Sequence, residues 1–113
     1  MNRAGARAEE LCAELMRAAG LRVLARNWRC RHGEIDLVAE EGGTLVFAEV
    51  RYRRSASFGG AAESITDAKR SRLVAAAGLY LAGRPQVDCR FDVLLLDSLE
   101  AERISWIRNA FTA

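Results

Sequence analysis

The stretch GEIDLVAEEGGTLVFAEVR, residues 33–51, decides the fold of this chain. Two largely apolar segments flank Gly42–Gly43, and this pair can adopt the positive φ angles of a two-residue turn. The pattern therefore predicts a β-hairpin with strands over 35–40 and 45–52. Three charged residues lie among the apolar ones: Asp36, Glu49 and Arg51. Because a buried charge is costly unless it is paired, these residues need a compensating partner.

The turn also fixes which residues of the hairpin face each other. Counting outward from Gly42–Gly43, Asp36 lies directly opposite Glu49. Strict alternation along both strands then places Glu49 on the same face as Asp36, together with Glu34 and Val38. Two facing carboxylates repel each other unless a cation lies between them or one of them takes a proton.

Two kinds of cation can offset the facing acids. Arg51 lies on their face and can form a structural salt bridge. Alternatively, Asp36, Glu49 and the Val50 carbonyl offer the hard oxygen ligands that suit Mg²⁺ or Mn²⁺. The hairpin alone leaves both interpretations open.

Helical periodicity predicts two helices, and each carries one residue of interest. The first helix spans 3–19 and ends at Gly20, with Glu9 at the border of its apolar stripe, where an acid can also simply interact with the helix dipole. The second helix runs to about Ala82 and has Lys69 within its apolar stripe. Lys69 is the only lysine among 17 basic residues. One interpretation is that the Lys69 stem packs on the core while its ammonium group reaches water. The other is that Lys69 can lose its proton and act as a base, which an arginine cannot do.

The remaining elements complete an α-β-β-β-α-β order. Leu21–Trp28 alternates like a half-buried strand, and Cys89–Leu96 is nearly all apolar, as expected of a strand covered on both faces. Residues 103–108 are consistent with one extra C-terminal strand. The sequence therefore predicts an α/β fold with a mixed central sheet flanked by helices.

Length and composition restrict the class of protein. A chain of 113 residues with 50% hydrophobic content predicts a single domain over 1–113. The apolar run 73–83 is too short to cross a bilayer, and the N-terminus is acidic where a signal peptide would be apolar, so we expect a cytoplasmic protein with no membrane partner. Three cysteines without CxxC spacing predict free thiols: Cys12, Cys30 and Cys89.

The basic residues are clustered, although the formal net charge is only +2. Arginines precede the hairpin, follow it and open the second helix. The candidate contacts to a phosphate-rich ligand are Arg29, Arg31, Arg53, Arg54 and Arg70. Each cluster taken alone is equally consistent with a solvated face.

The hairpin resembles a known nuclease signature. Asp36 followed by Glu49-Val50-Arg51 is similar to the D…(D/E)xK motif of restriction-endonuclease-like nucleases, whose αβββαβ core has the predicted order. Longer stretches resemble the YraN family of uncharacterised bacterial proteins, which is grouped with Holliday-junction resolvases. These stretches are GARAEELC (5–12), RNWRCRHGEIDLVA (26–39), LVFAEVRYR (45–53), FGGA (58–61), the helix with Lys69, RFDV (90–93) and WIRNAF (106–111).

The resemblance implies a Mg²⁺- or Mn²⁺-dependent endonuclease acting on DNA phosphodiesters, with branched DNA as a substrate and, by analogy with the resolvases, a homodimer. The metal ligands that it implies are Glu9, Asp36, Glu49 and the Val50 carbonyl. Arg51 occupies the position of the nuclease lysine and cannot accept a proton. Lys69 is then expected to position or deprotonate the attacking water, while Arg51 clamps the scissile phosphate.

Two other classes of function stay open. A nucleic-acid-binding module with a degenerate nuclease site would keep the acids and the arginines without turnover. A structural or partner-binding protein would close the acidic cluster with internal salt bridges.

Overall fold

The computed structural model describes residues 3–52, 65–84, 86–100 and 103–112. Its elements are α1 Arg3–Ala18, β1 Arg22–Cys30, β2 Gly33–Glu41, β3 Thr44–Tyr52, α2 Asp67–Leu81, β4 Cys89–Leu96 and β5 Ile104–Phe111. This order confirms the predicted αβββαβ core with an additional C-terminal strand.

The turn between β2 and β3 forms as the sequence predicts. Gly42 and Gly43 have φ angles of 55° and 90°, which residues with a side chain rarely adopt. Glu41 faces Thr44 across the turn, and the pairing continues in the same register to Leu37 opposite Ala48. The hairpin therefore brings the predicted acids to its open end.

The five strands form one mixed sheet in the order β1-β2-β3-β4-β5. Neighbouring strands are antiparallel except β3 and β4, which are parallel. A parallel pair needs a long crossover connection, and α2 lies in the chain between these two strands. The mixed sheet confirms the predicted architecture.

One helix packs on each face of the sheet. On one face, α1 covers a cluster that includes Leu37, Val46 and Ala48. On the opposite face, α2 covers a cluster that includes Val38 and Phe47. Because β3 contributes to both clusters, it is the central strand of the core, and Glu49 and Arg51 near its end are half-buried.

Neither helix in the described part of the chain is long and apolar enough to cross a membrane. All three cysteines are free, as predicted: Cys12 is buried, Cys30 is half-buried and Cys89 is exposed.

Candidate metal centre and active site

The strands that carry the candidate site depart from regular alternation beside the acids. Ile35 and Val38 both pack in the cluster under α2, although residues three apart on a regular strand point to opposite faces. On the neighbouring strand, Ala25 and Trp28 also pack on that cluster, and Asn27 between them has a φ of 51°. The two irregularities lie side by side, so both strands change face at the same level of the sheet.

This change of face corrects one expectation from the sequence. Strict alternation placed Asp36 on the same face as Val38, but Val38 packs under α2 whereas the Asp36 carboxylate lies beside Glu9 of α1. The prediction that Asp36 shares a face with Val38 and Glu49 was wrong, because strict alternation does not hold between Ile35 and Val38. Asp36 lies at the point where the alternation breaks.

Asp36 also occupies the gap where β2 and β3 separate. The last paired residues of the hairpin are Leu37 and Ala48. Beyond them, the backbone N–H of Val50 donates a hydrogen bond of 2.9 Å to Asp36 Oδ2. Because the N–H and C=O of a strand residue point toward the same neighbouring strand, the Val50 carbonyl faces this gap as well.

Three carboxylates converge beside α1. One oxygen from each of Glu9, Glu34 and Asp36 lies within 4.8 Å of the others. Glu9 is only 7% exposed, and Asn27 Nδ2 donates a 2.7 Å hydrogen bond to its Oε1. In Glu34, Oε1 is buried and has no hydrogen-bond partner among the described residues. A buried, unsatisfied carboxylate oxygen is unusual in a folded protein.

Burial and neighbouring negative charge make Asp36 and Glu9 hard to ionise. Burial is the main reason that the pKa of Asp36 rises to about 8, and the nearby charge of Glu49 raises it further. Burial likewise raises the pKa of Glu9, with a smaller contribution from the Glu34 charge and partial relief from the Asn27 hydrogen bond. A divalent cation would remove both costs, because it pairs with several carboxylates at once.

Glu49 lies on the side of the site that faces α2. Burial raises the pKa of Glu49 above its ordinary value, and the positive charges of Arg51 and Lys69 offset only part of this rise. Arg51 Nη1 lies 3.4 Å from Glu49 Oε1. The site therefore has an acidic half beside α1 and a half beside α2 where Glu49 meets cations, and Asp36 lies between them.

The donor set suits a hard divalent cation such as Mg²⁺ or Mn²⁺. The oxygen separations within the group of three permit direct or water-mediated binding of one ion. The unsatisfied Glu34 oxygen would gain a partner from such an ion.

The candidate phosphate contacts are placed unevenly. Arg29 and Arg31 are exposed near the hairpin end that carries the acids. In the backbone register of β1 and β2, Arg29 lies opposite Glu34. Arg70 is exposed on α2 next to Lys69, with its guanidinium 5.5 Å from the centre of the Phe111 ring. The other two candidates, Arg53 and Arg54, lie outside the described residues.

Glu34 is the residue of the acidic group that the sequence-based site prediction left out. Its spacing of two from Asp36 was a usable signal, because residues two apart on a strand share a face. Its unsatisfied oxygen, in contrast, is visible only once α1 is packed on the sheet.

Comparison with known proteins identifies relatives over nearly the whole chain. The sequence model of the uncharacterised protein family UPF0102 matches residues 8–96, a range that includes every acid of the candidate site. A UPF0102 protein of Dechloromonas aromatica is 50% identical over 109 residues, which are 96% of this chain and 88% of that protein. One of Methylobacillus flagellatus is 49% identical over the full length of both chains. One of Pseudomonas aeruginosa is 48% identical over 118 residues, covering 96% of this chain and 92% of that protein.

Proposed function

The chain belongs to the uncharacterised protein family UPF0102, whose name states no activity, and we propose from its site that it is a metal-dependent DNA endonuclease. Membership of this family of bacterial proteins confirms the resemblance to YraN-like proteins found in the sequence. The proposed reaction is hydrolysis of a DNA phosphodiester, with branched DNA among the substrates.

The observation that carries the proposal is the group of buried and half-buried carboxylates at the gap between β2 and β3. Burial and neighbouring negative charge raise the pKa of Glu9 and Asp36, and acids with such perturbed pKa values mark candidate functional sites. Cationic side chains border the group, as a site for a phosphodiester requires. Both features lie at the open end of the hairpin rather than in the closed core.

Mg²⁺ or Mn²⁺ bound by Asp36, Glu49, the Val50 carbonyl and Glu9 would polarise a phosphoryl oxygen and lower the pKa of a bound water. The protein's own part is to hold these oxygen donors in place. Asn27 fixes Glu9 through its 2.7 Å hydrogen bond. The Val50 amide fixes one oxygen of Asp36 and leaves the other for a ligand.

Arg51 and Lys69 have separate proposed roles. Arg51 presents a planar guanidinium group that matches phosphate geometry, so it is suited to hold the scissile phosphate and stabilise its developing charge. Lys69 is half-buried at the start of α2, and its charge acts on Glu49. It is therefore suited to orient or deprotonate the attacking water from the α2 side.

The test is a nuclease assay on branched, flapped and single-stranded DNA with Mg²⁺ or Mn²⁺. We expect metal-dependent cleavage that EDTA abolishes and that Asp36→Asn or Glu49→Gln reduces at least 100-fold. Asp97→Asn removes an exposed acid just after β4 and is the matched control, with cleavage expected to be unchanged. Absence of cleavage on all three substrates with both metals would contradict the proposed activity.

Substitution of Lys69 tests its role separately. Lys69→Ala should reduce cleavage 10- to 100-fold while the affinity for Mn²⁺ in the absence of DNA stays within twofold, because the proposed role concerns water and not the metal. Lys69→Arg keeps the charge but cannot accept a proton, so activity retained in this variant assigns Lys69 to charge stabilisation. Full activity of Lys69→Ala would refute both roles.

The second candidate is a nucleic-acid-binding module without turnover. The ion pair between Arg51 and Glu49 favours it, because an arginine in the nuclease lysine position partly neutralises a metal-binding acid. This candidate predicts salt-dependent DNA binding with no cleavage under any metal condition.

A further inference from the structure

We propose that Glu34 is a metal-binding residue of this site, so that the acidic half beside α1 binds the cation through Glu9, Glu34 and Asp36. This inference rests on the proposed metal dependence and extends it, because the nuclease-like motif supplies Asp36 and Glu49 but not Glu34. Two observations support it: the position of the Glu34 carboxylate and the state of its buried oxygen.

The first observation is the convergence of the three carboxylates. Oxygens of Glu9, Glu34 and Asp36 lie within 4.8 Å of one another, whereas Glu49 is not part of this group. Three separate elements of structure hold the group together. β2 supplies Glu34 and Asp36, β1 pairs with β2 and places Arg29 opposite Glu34 in the register, and α1 supplies Glu9 from above the sheet.

The second observation is the buried Oε1 of Glu34, which lacks a hydrogen-bond partner among the described residues. The neighbouring acids do have partners: Asn27 donates to Glu9, and the Val50 amide donates to Asp36. Among the described residues, donors reach Glu9 and Asp36 but not Glu34 Oε1, which leaves this oxygen available for a ligand. A cation bound beside Glu9 and Asp36 would supply the missing partner of this oxygen.

The two halves of the site then differ in role. The acidic half beside α1 provides the negative charge that holds the cation. Glu49, with Arg51 3.4 Å away, faces α2 and contributes to metal binding from the side on which Lys69 also lies. Asp36 is shared, because it is a member of the group of three and its charge also interacts with Glu49.

The experiment measures Mn²⁺ binding to the full chain by calorimetry in the absence of DNA, together with thermal unfolding in EDTA. For Glu34→Gln we expect at least a tenfold weaker Mn²⁺ affinity and, in EDTA, a higher Tm than the unsubstituted protein, because a repelling charge is removed. Glu40→Gln is the matched control on the same strand. The Glu40 carboxylate pairs with Arg22 at the far end of β2, so Glu40→Gln should leave the Mn²⁺ affinity unchanged and should not raise the Tm in EDTA.

A second measurement does not depend on how a variant folds. In the unsubstituted protein, Mn²⁺ should broaden the amide resonances of Glu9 and Glu34 well before those of Glu40. Mn²⁺ bound equally by the unsubstituted protein and by Glu34→Gln would overturn the role of Glu34 and leave the proposed nuclease function intact. No Mn²⁺ binding by the unsubstituted protein would overturn the metal dependence itself, and this inference with it.

Discussion

At the scale of single residues, Asp36 both accepts the hydrogen bond of a strand N–H and has a strongly raised pKa. Its Oδ2 accepts the Val50 amide at the point where β2 and β3 separate. The same carboxyl has a pKa near 8, because it is buried beside other acids. An ordinary structural aspartate that accepts a backbone N–H has a lowered pKa, so burial and repulsion outweigh the hydrogen bond here.

The raised pKa predicts how stability depends on pH in the metal-free protein. Between the unfolded pKa of Asp36, about 3.9, and its folded pKa near 8, the folded protein keeps a proton that the unfolded chain has lost. Stability should therefore fall as pH rises from 5 to 8, by up to about 1.4 kcal/mol per pH unit for one proton. The raised pKa values of Glu9 and Glu49 act in the same direction.

Urea unfolding in EDTA at pH 5.5, 6.5 and 7.5 measures this slope. Asp36→Asn should make the slope shallower and raise stability at pH 7.5, because the amide has no charge to bury. Glu10 and Glu41 have lowered pKa values, so they lose their stabilising charge only below pH 4.5 and leave this window unaffected. Stability that rises steadily from pH 5.5 to 7.5 would contradict the assignment.

Asn27 is a second residue whose backbone and side chain both serve the site. Its φ of 51° is in the left-handed region, and its amide holds Glu9. We expect Asn27→Ala to be less stable than Asn27→Gly by about 1 kcal/mol, because only glycine adopts this conformation without a steric cost. Both variants should bind Mn²⁺ more weakly, since both release Glu9. Equal stability of the two variants in urea would argue against strain at this position.

At the scale of elements, β4 and β5 are joined by a buried aspartate. Asp92 is fully buried and accepts hydrogen bonds from Arg90 Nε at 3.0 Å, Trp106 Nε1 at 2.9 Å and the Asn109 amide at 2.9 Å. These partners include the arginine and the backbone donor that a charged residue in an apolar strand requires. The network fixes β5 against β4, on the edge of the sheet away from β1.

Removal of this carboxylate should be severe. We expect Asp92→Ala to lower the free energy of unfolding by about 3 kcal/mol, because it leaves buried donors unpaired. Arg90 keeps its 2.7 Å contact with Glu41, which limits the loss. Asp97→Ala, an exposed position just after the same strand, is the control and should change stability by less than about 0.5 kcal/mol. Similar urea midpoints for the two variants would contradict a structural role for the Asp92 network.

The start of α2 links an element boundary to the site. Thr66 caps the helix, and its Oγ1 accepts the backbone N–H of Lys69 at 3.2 Å. Because the cap fixes the first turn of α2, it also fixes the position of the Lys69 backbone relative to Glu49.

At the scale of the whole molecule, the charge distribution matters more than the net charge of +2. If the chain binds DNA as proposed, phosphate contacts should give a linear fall of log K with log salt concentration. Arg29→Gln should reduce that slope by about 0.9, the value for one lost phosphate contact. Fluorescence anisotropy with a branched DNA at several NaCl concentrations measures the slope.

Arg84→Gln is the control for the salt slope. The Arg84 guanidinium donates to the Tyr80 carbonyl and lies 4.3 Å from the centre of the Tyr80 ring, so its charge is already engaged within the protein. The salt dependence of DNA binding by Arg84→Gln should therefore match that of the unsubstituted protein. An unchanged slope in Arg29→Gln would remove Arg29 from the proposed DNA contacts.

The sequence determined the elements and the hairpin register, because both follow from short-range rules. Gly42–Gly43 set the turn, and the turn set the pairing as far as Leu37 and Ala48, the residues next to Asp36 and Glu49. Lys69 stood out as the only lysine of the chain. These signals were sufficient for the α/β class and for the centre of the candidate site.

Only the tertiary structure decided which acids meet. The change of face at Asn27 and Asp36 involves both β1 and β2. Asn27 contacts Glu9 of α1, and Asp36 contacts the Val50 N–H of β3, so both residues depend on elements distant in the chain. The rule of strict alternation does not predict this change of face, because the rule describes an isolated regular strand. The grouping of Glu34 with Glu9 and Asp36 arises when α1 packs over the sheet, since burial and proximity between distant segments are properties of the folded chain.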